Sequence, residues 1–125
     1  MLQVSWTAGE QIVEMEIAGL ENGLTKIVLT GRLDTPGVDK IEARFVASLV
    51  PASKSAIVDI SGVEFIASMG IRMFIAVARS LALRKAKLAL YGAQTLVSDI
   101  FENVSLKEII PVVDSETEAV IAVEP

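Results

Sequence analysis

The chain has 125 residues, 52% hydrophobic and 22% charged, the size and balance of one compact globular domain rather than a fibre or a disordered tail. It contains no Cys and no His, which excludes thiol nucleophiles, disulfides, thiolate metal sites and a catalytic triad, and removes the commonest general base. A formal net charge of −5 argues against nucleic acid as a partner, because phosphate backbones are gripped by Lys and Arg stripes.

The first residues, Met1-Leu2-Gln3-Val4-Ser5-Trp6, lack the basic-then-apolar plan of a signal peptide. No apolar run approaches the roughly 18 residues that a membrane span requires. A cytoplasmic location and no membrane partner are therefore expected. Residues 1–11 read as an N-terminal extension, with Trp6 packing on the sheet or against another chain. Val13, Met15 and Ile17 alternate with Glu14 and Glu16, the period of a half-buried strand over 12–17. Asn22-Gly23 tolerates positive φ and marks a hairpin, and the β-branched run 25–30 returns as a second strand.

Thr35 can cap a first helix with Pro36 at its first position, where a missing N–H costs nothing. Val38, Ile41, Phe45 and Leu49 give that helix one apolar stripe, and Pro51 ends it. The short apolar run 55–60 reads as a central parallel strand, followed by a loop. A long helix follows over 69–84, with Ile71, Phe74, Ile75, Ala78 and Ala82 facing the core. Residues 88–91 form another strand. Thr95 caps a third helix that turns Leu96, Val97, Ile100 and Phe101 inward. A last strand covers 109–112, where Pro111 suits a sheet edge. Ser115-Glu116-Thr117-Glu118 has the form of a capping box for a terminal helix. After the opening hairpin, strands and helices alternate, which predicts one α/β domain with a mixed, mostly parallel sheet of about four to six strands and about four helices.

The segment Asp59-Ile60-Ser61-Gly62-Val63-Glu64-Phe65-Ile66-Ala67-Ser68-Met69-Gly70-Ile71 resembles the signature of STAS domains. In that signature a strand ending in Asp-Leu-Ser precedes a Val-x-Phe-(Ile/Met)-Asp-Ser-(Ser/Thr)-Gly-Leu loop that opens a helix. Leu29-Thr30-Gly31-Arg32-Leu33-Asp34 is similar to the family's Leu-x-Gly-x-Leu-Asp segment. Gly92 and the stretch Ile100-Phe101-Glu102-Asn103-Val104-Ser105-Leu106 resemble its third-helix region. The likeness runs in order over about residues 24 to 122.

The resemblance, to anti-sigma factor antagonists in particular, implies a STAS fold and a non-enzymatic binding module that needs no cofactor. It implies two partners, an anti-sigma factor of the Ser/Thr kinase type and a serine phosphatase. It places the phosphorylated residue at Ser68 and a kinase-engaging carboxylate at Asp34. The chain departs from the pattern at Ala67, where the family has Asp, and at Met69, where it has Ser or Thr.

Elementary electrostatics points the same way at Ser68. A hydroxyl at the mouth of a helix lies beside unpaired backbone N–H groups and the positive end of the helix dipole, which welcome a phosphate. The plainer role is a simple N-cap, and the two are compatible. Helix capping is likewise the plainer role for Asp34. On a helical wheel Met69, Met73, Ala76 and Leu83 fall away from the core stripe, flanked by Arg72 and Arg79, and adaptable methionines suit a contact surface. That gives Asp34, Ile66, Ala67, Met69, Gly70, Met73 and Ala76 as the expected partner surface, a second copy in a homodimer included. Gly70 is expected to permit close approach of the helix start to a neighbouring strand or to a partner. The competing reading is a scaffold or transport accessory module that docks its partner constitutively, without phosphate, and Ala67 fits that reading.

Overall fold

A computed structural model describes residues 2–8 and 11–125. Six strands form one sheet: β1 (Leu2–Ala8), β2 (Gln11–Gly19), β3 (Thr25–Leu33), β4 (Ala56–Ile66), β5 (Leu88–Tyr91) and β6 (Val112–Val113). Their spatial order is their order in the chain. β1, β2 and β3 pair antiparallel, and β3 through β6 pair parallel. The helices are α1 (Thr35–Leu49), α2 (Ser68–Leu83), α3 (Thr95–Asn103) and α4 (Glu116–Val123). The expected mixed α/β fold is therefore present. Within residues 1–11, expected as an extension, Leu2–Ala8 form an edge strand paired with β2 from Leu2↔Ile17 to Ala8↔Gln11. The side chain of Trp6 lies outside the described residues.

Helices α1, α2 and α3 bury their apolar residues against one face of the sheet, formed by Val13, Met15, Ile27, Leu29, Val58, Ile60 and Leu90 among others. At the centre of this layer Phe45 and Phe74 meet edge to face at 5.7 Å, a geometry worth about 0.5–1.5 kcal/mol beyond the area buried. The alternate residues Ile57, Ala89 and Tyr91 point to the other face, where α4 covers them with Ala119 and Val123. The Glu116 carboxylate ties α4 down by accepting from Lys26 and from the Tyr91 hydroxyl at 2.9 Å. These two bonds, that of Lys26 foremost, hold the Glu116 pKa below the ordinary carboxylate value. Burial and the bond to Glu116 push that of Tyr91 up. Among the described residues, no helix is long and apolar enough to cross a membrane.

Several elements differ from expectation for identifiable reasons. The segment after residue 60, expected as a loop, continues β4 to Ile66. Ser61 and Gly62 lie at a bulge in this longer strand. The Asp59 carboxylate accepts from the Ser61 N–H and hydroxyl at 2.9 and 2.7 Å, while the β3–β4 register twice gains a residue on the β4 side. Ser115 caps α4 as expected, accepting from Glu118 N–H at 3.2 Å, while the Glu118 carboxylate reaches back to Asp114 N–H. The last strand is shorter than 109–112. A single 3-10 turn at Leu106–Glu108 precedes it, and Ile110 is buried outside the strand.

The buried face of α2 is Gly70, Ile71, Met73, Phe74, Val77 and Leu81, rotated from the expected one. Ile75 and Ala78 are half-buried and Ala82 is exposed. The exposed Ser68, Arg72 and Arg79 share one side of α2 and the buried face lies opposite them, where the bulkier Val77 and Leu81 bury more surface than Ala78 and Ala82 would. Met73, expected on the outward side, is consequently in the core at 1% exposure. In α3, Val97 and Phe101 are buried, Ile100 is half-buried, and Leu96, expected inward, is exposed.

Candidate functional site

β3 and β4 run parallel and end together, with Leu33 opposite Ile66. The Ala67 N–H donates to the Leu33 carbonyl at 2.9 Å, which extends the pairing by one step and sets Asp34 beside Ala67 in register. Each of these two residues is the N-cap of the helix that follows its strand. Two helices thus begin side by side at the C-terminal ends of the two central strands.

Asp34 closes its helix. One carboxylate oxygen accepts the Gly37 N–H at 2.9 Å, and the other meets Arg32 Nε at 3.5 Å. The Arg32 guanidinium lies over the Phe65 ring, 4.6 Å from its centroid. The expectation that Thr35 caps α1 is therefore corrected: Thr35 is the first helical residue, and the carboxylate before it does the capping.

The second start is built differently. Ala67 has the extended backbone of a cap and no side-chain acceptor, so Ser68 is not the N-cap that sequence suggested but the first residue of α2. Its side chain is exposed. The Ala67 carbonyl accepts both Gly70 N–H (3.0 Å) and Ile71 N–H (3.2 Å), so the helix itself supplies no acceptor for the N–H groups of Ser68 and Met69. No acidic residue stands in the first turn. The arrangement is an exposed hydroxyl on the positive end of a helix dipole, with two backbone donors beside it and the exposed Arg72 one turn further along.

Gly70 fits the close approach expected of it. A Cβ there would lie 2.8 Å from Ile66 Cγ1 and 3.3 Å from the Leu33 carbonyl oxygen. Gly37 is the tighter case, because its Cβ would fall 2.1 Å from the Arg32 carbonyl oxygen. This position escaped the sequence reading, although glycine in the first turn of a helix, where it costs up to about 1 kcal/mol against Ala, is a legible sign of crowding.

Of the residues expected to meet a partner, the structure brings Asp34, Ala67, Ser68 and Met69 together around the two helix starts. Ala76 is exposed two turns along α2. Ile66 (2% exposed), Gly70 and Met73 lie beneath them and present no surface, so they support the site from inside. Arg32 and Phe65 complete the rim and were not singled out from sequence. Their opposed register positions become visible only once β4 is known to continue through Phe65.

Comparison with known proteins agrees with this geometry. The STAS domain profile matches residues 14–119. The Bordetella bronchiseptica protein named "Putative anti-sigma factor antagonist BtrV" is 25% identical over 101 residues, covering 81% of this chain and 87% of that one. An anti-sigma factor antagonist from Mycobacterium paratuberculosis has the same fold, with a TM-score of 0.79 at 18% identity, over 89% of this chain and 93% of the other. So has the Bacillus cell fate determinant SpoIIAA in its phosphorylated form, with a TM-score of 0.64 at 19% identity over 86% and 97% of the two chains. Strand order, paired helix starts and the profile match lead to one assignment: the chain belongs to the STAS domain family.

Proposed function

We propose that this STAS domain is an anti-sigma factor antagonist, a binding module without catalytic activity that a phosphate on Ser68 switches off. It docks an anti-sigma factor of the Ser/Thr kinase type through Asp34, Ala67, Met69 and Ala76. That kinase phosphorylates Ser68, and a serine phosphatase restores the docked state. The observation that carries this reading is the exposed hydroxyl on an uncapped helix start. A phosphoserine adds roughly −1.5 to −2 charges. Within the domain that charge meets free N–H donors and the helix dipole, so the fold accommodates it. A partner packed over Ala67 and Met69 would instead have to desolvate it, and would leave.

Ala67 favours the second reading, a scaffold or transport accessory that holds its partner constitutively. One experiment separates them. The chain is incubated with its cognate anti-sigma kinase and ATP, and phosphate is mapped by mass spectrometry. A single phosphate on Ser68 with release of the complex is the expected result. Label on Ser61 or Ser98 overturns the assignment, and an unlabelled, persistent complex supports constitutive docking. In parallel, Ser68→Asp should weaken the complex by about tenfold or more while the melting temperature barely moves.

A further inference from the structure

The far end of α2 carries a second surface that the Ser68 switch does not use. Between Glu64 and Asp99 the chain contains five cations, Arg72, Arg79, Arg84, Lys85 and Lys87, and no carboxylate, in a protein whose net charge is −5. The last four gather where α2 turns into β5, and all four are exposed. Two of them have local work. Arg84 donates to the Ser80 carbonyl at 3.2 Å, and Lys87 Nζ donates to the Glu124 carbonyl at 3.0 Å, both at helix C-termini where positive charge is favoured. Arg79 and Lys85 have no ion-pair partner among the described residues.

Amid these charges stands Leu83, 87% exposed, the barest of the large apolar side chains described. The same end of α2 also helps to line a shallow depression of about 130 Å³, formed by Ala78, Ala82, Lys87, Ile109 and Pro111 among others. Ile109 is itself 46% exposed. A protruding aliphatic residue, an apolar hollow and exposed cations, two of them without an ion-pair partner, are the parts of a docking face for an amphipathic segment, with the cations selecting its charge.

We infer that this face binds an acidic amphipathic helix of a partner protein, with an aliphatic residue seated in the hollow and carboxylates beside Arg79 and Lys85. An anionic membrane fits less well, because a flat bilayer surface would leave the hollow beside Ile109 unfilled. Nucleic acid fits less well too, because the hollow offers nothing to a phosphate backbone. α2 places this face about 22 Å from Ser68, more than two Debye lengths at physiological salt. Phosphate at Ser68 should therefore leave the second face untouched, which would let one partner stay bound while another is released. The inference stands independently of the Ser68 reading.

Amide chemical shifts of the isotope-labelled chain, titrated with a short helical peptide bearing Leu on one side and Glu on the other, test it directly. Shifts should map to residues 78–87 and 107–111, and binding should weaken as salt rises. Leu83→Ser, and the pair Arg79→Glu with Lys85→Glu, should each weaken binding about fivefold or more without changing the melting temperature. Ser68→Asp should leave it unchanged. The inference is overturned by absence of shifts with the acidic peptide, by equal binding of the same peptide with Lys in place of Glu, or by tighter binding of duplex DNA or phosphatidylserine vesicles.

Discussion

The starts of α1 and α2, Thr35-Pro36-Gly37 and Ser68-Met69-Gly70, are built on one plan, and the chemical difference at their cap residues is instructive. Both follow parallel strands that end together. Both have an extended N-cap residue, with φ and ψ of −80° and −177° at Asp34 and −95° and 171° at Ala67. Both carry a crowded glycine three residues on, Gly37 and Gly70. At α1 a carboxylate fills the cap and occupies a free donor. At α2 a methyl group stands in its place, and the donors face solvent next to a hydroxyl. The first start is finished internally, while the second is left for a charge from outside.

The largest expected effect comes from the crowding. Gly37→Ala drives a Cβ into the Arg32 carbonyl, a backbone atom that cannot yield alone, and should cost about 3 kcal/mol or more, near 10 °C in melting temperature. Gly70→Ala meets chiefly the flexible Ile66 side chain and should cost about 1–2 kcal/mol. Thermal melts of the two variants decide, and equal losses would show that the two starts are held alike. Next, Asp34→Ala removes the α1 cap and should cost about 1 kcal/mol in urea titrations. A loss below a few tenths would mean that the α1 start relies on packing instead. Smallest is Ala67→Asp, which gives α2 the cap that α1 already has. It should raise stability by about 0.5–1 kcal/mol, or roughly 2 °C. A fall in stability would mean that the donors at α2 are not available to an anion.

Much of this was legible from residue pattern. Val38, Ile41, Phe45 and Leu49 share one period, and α1 buries all four. Asn22-Gly23 announced the β2–β3 hairpin, where Gly23 sits at φ +81°. In α2 apolar residues extend well beyond one stripe, so more than one core face can be drawn through them. The face through Ala78 and Ala82 is not the buried one: that face lies opposite Arg72 and Arg79 and takes Met73 into the interior. The loop expected after residue 60 differs for another reason. Glycine, here Gly62, suits loops and bulges alike, and only the neighbouring strand decides between them. At the site, the STAS-like segment located Ser68 but not its cap geometry, because capping depends on where the helix starts to within one residue. Asp34 and Ala67 could be recognised as counterparts only once the strands were aligned.

The order of the strands bears on how the chain is made. Each strand pairs with the one synthesised just before it. A chain emerging from the ribosome can therefore lay the sheet down from one side to the other, and no completed strand waits for a neighbour encoded far downstream. Closing only the intervening loops keeps the entropy of assembly modest and favours rapid folding. α4 comes last, and until it arrives the apolar patch of Ile57, Ala89 and Tyr91 is bare. Residues Glu116–Val123, made after all six strands, thus act as the lid that shields this patch from wrong associations.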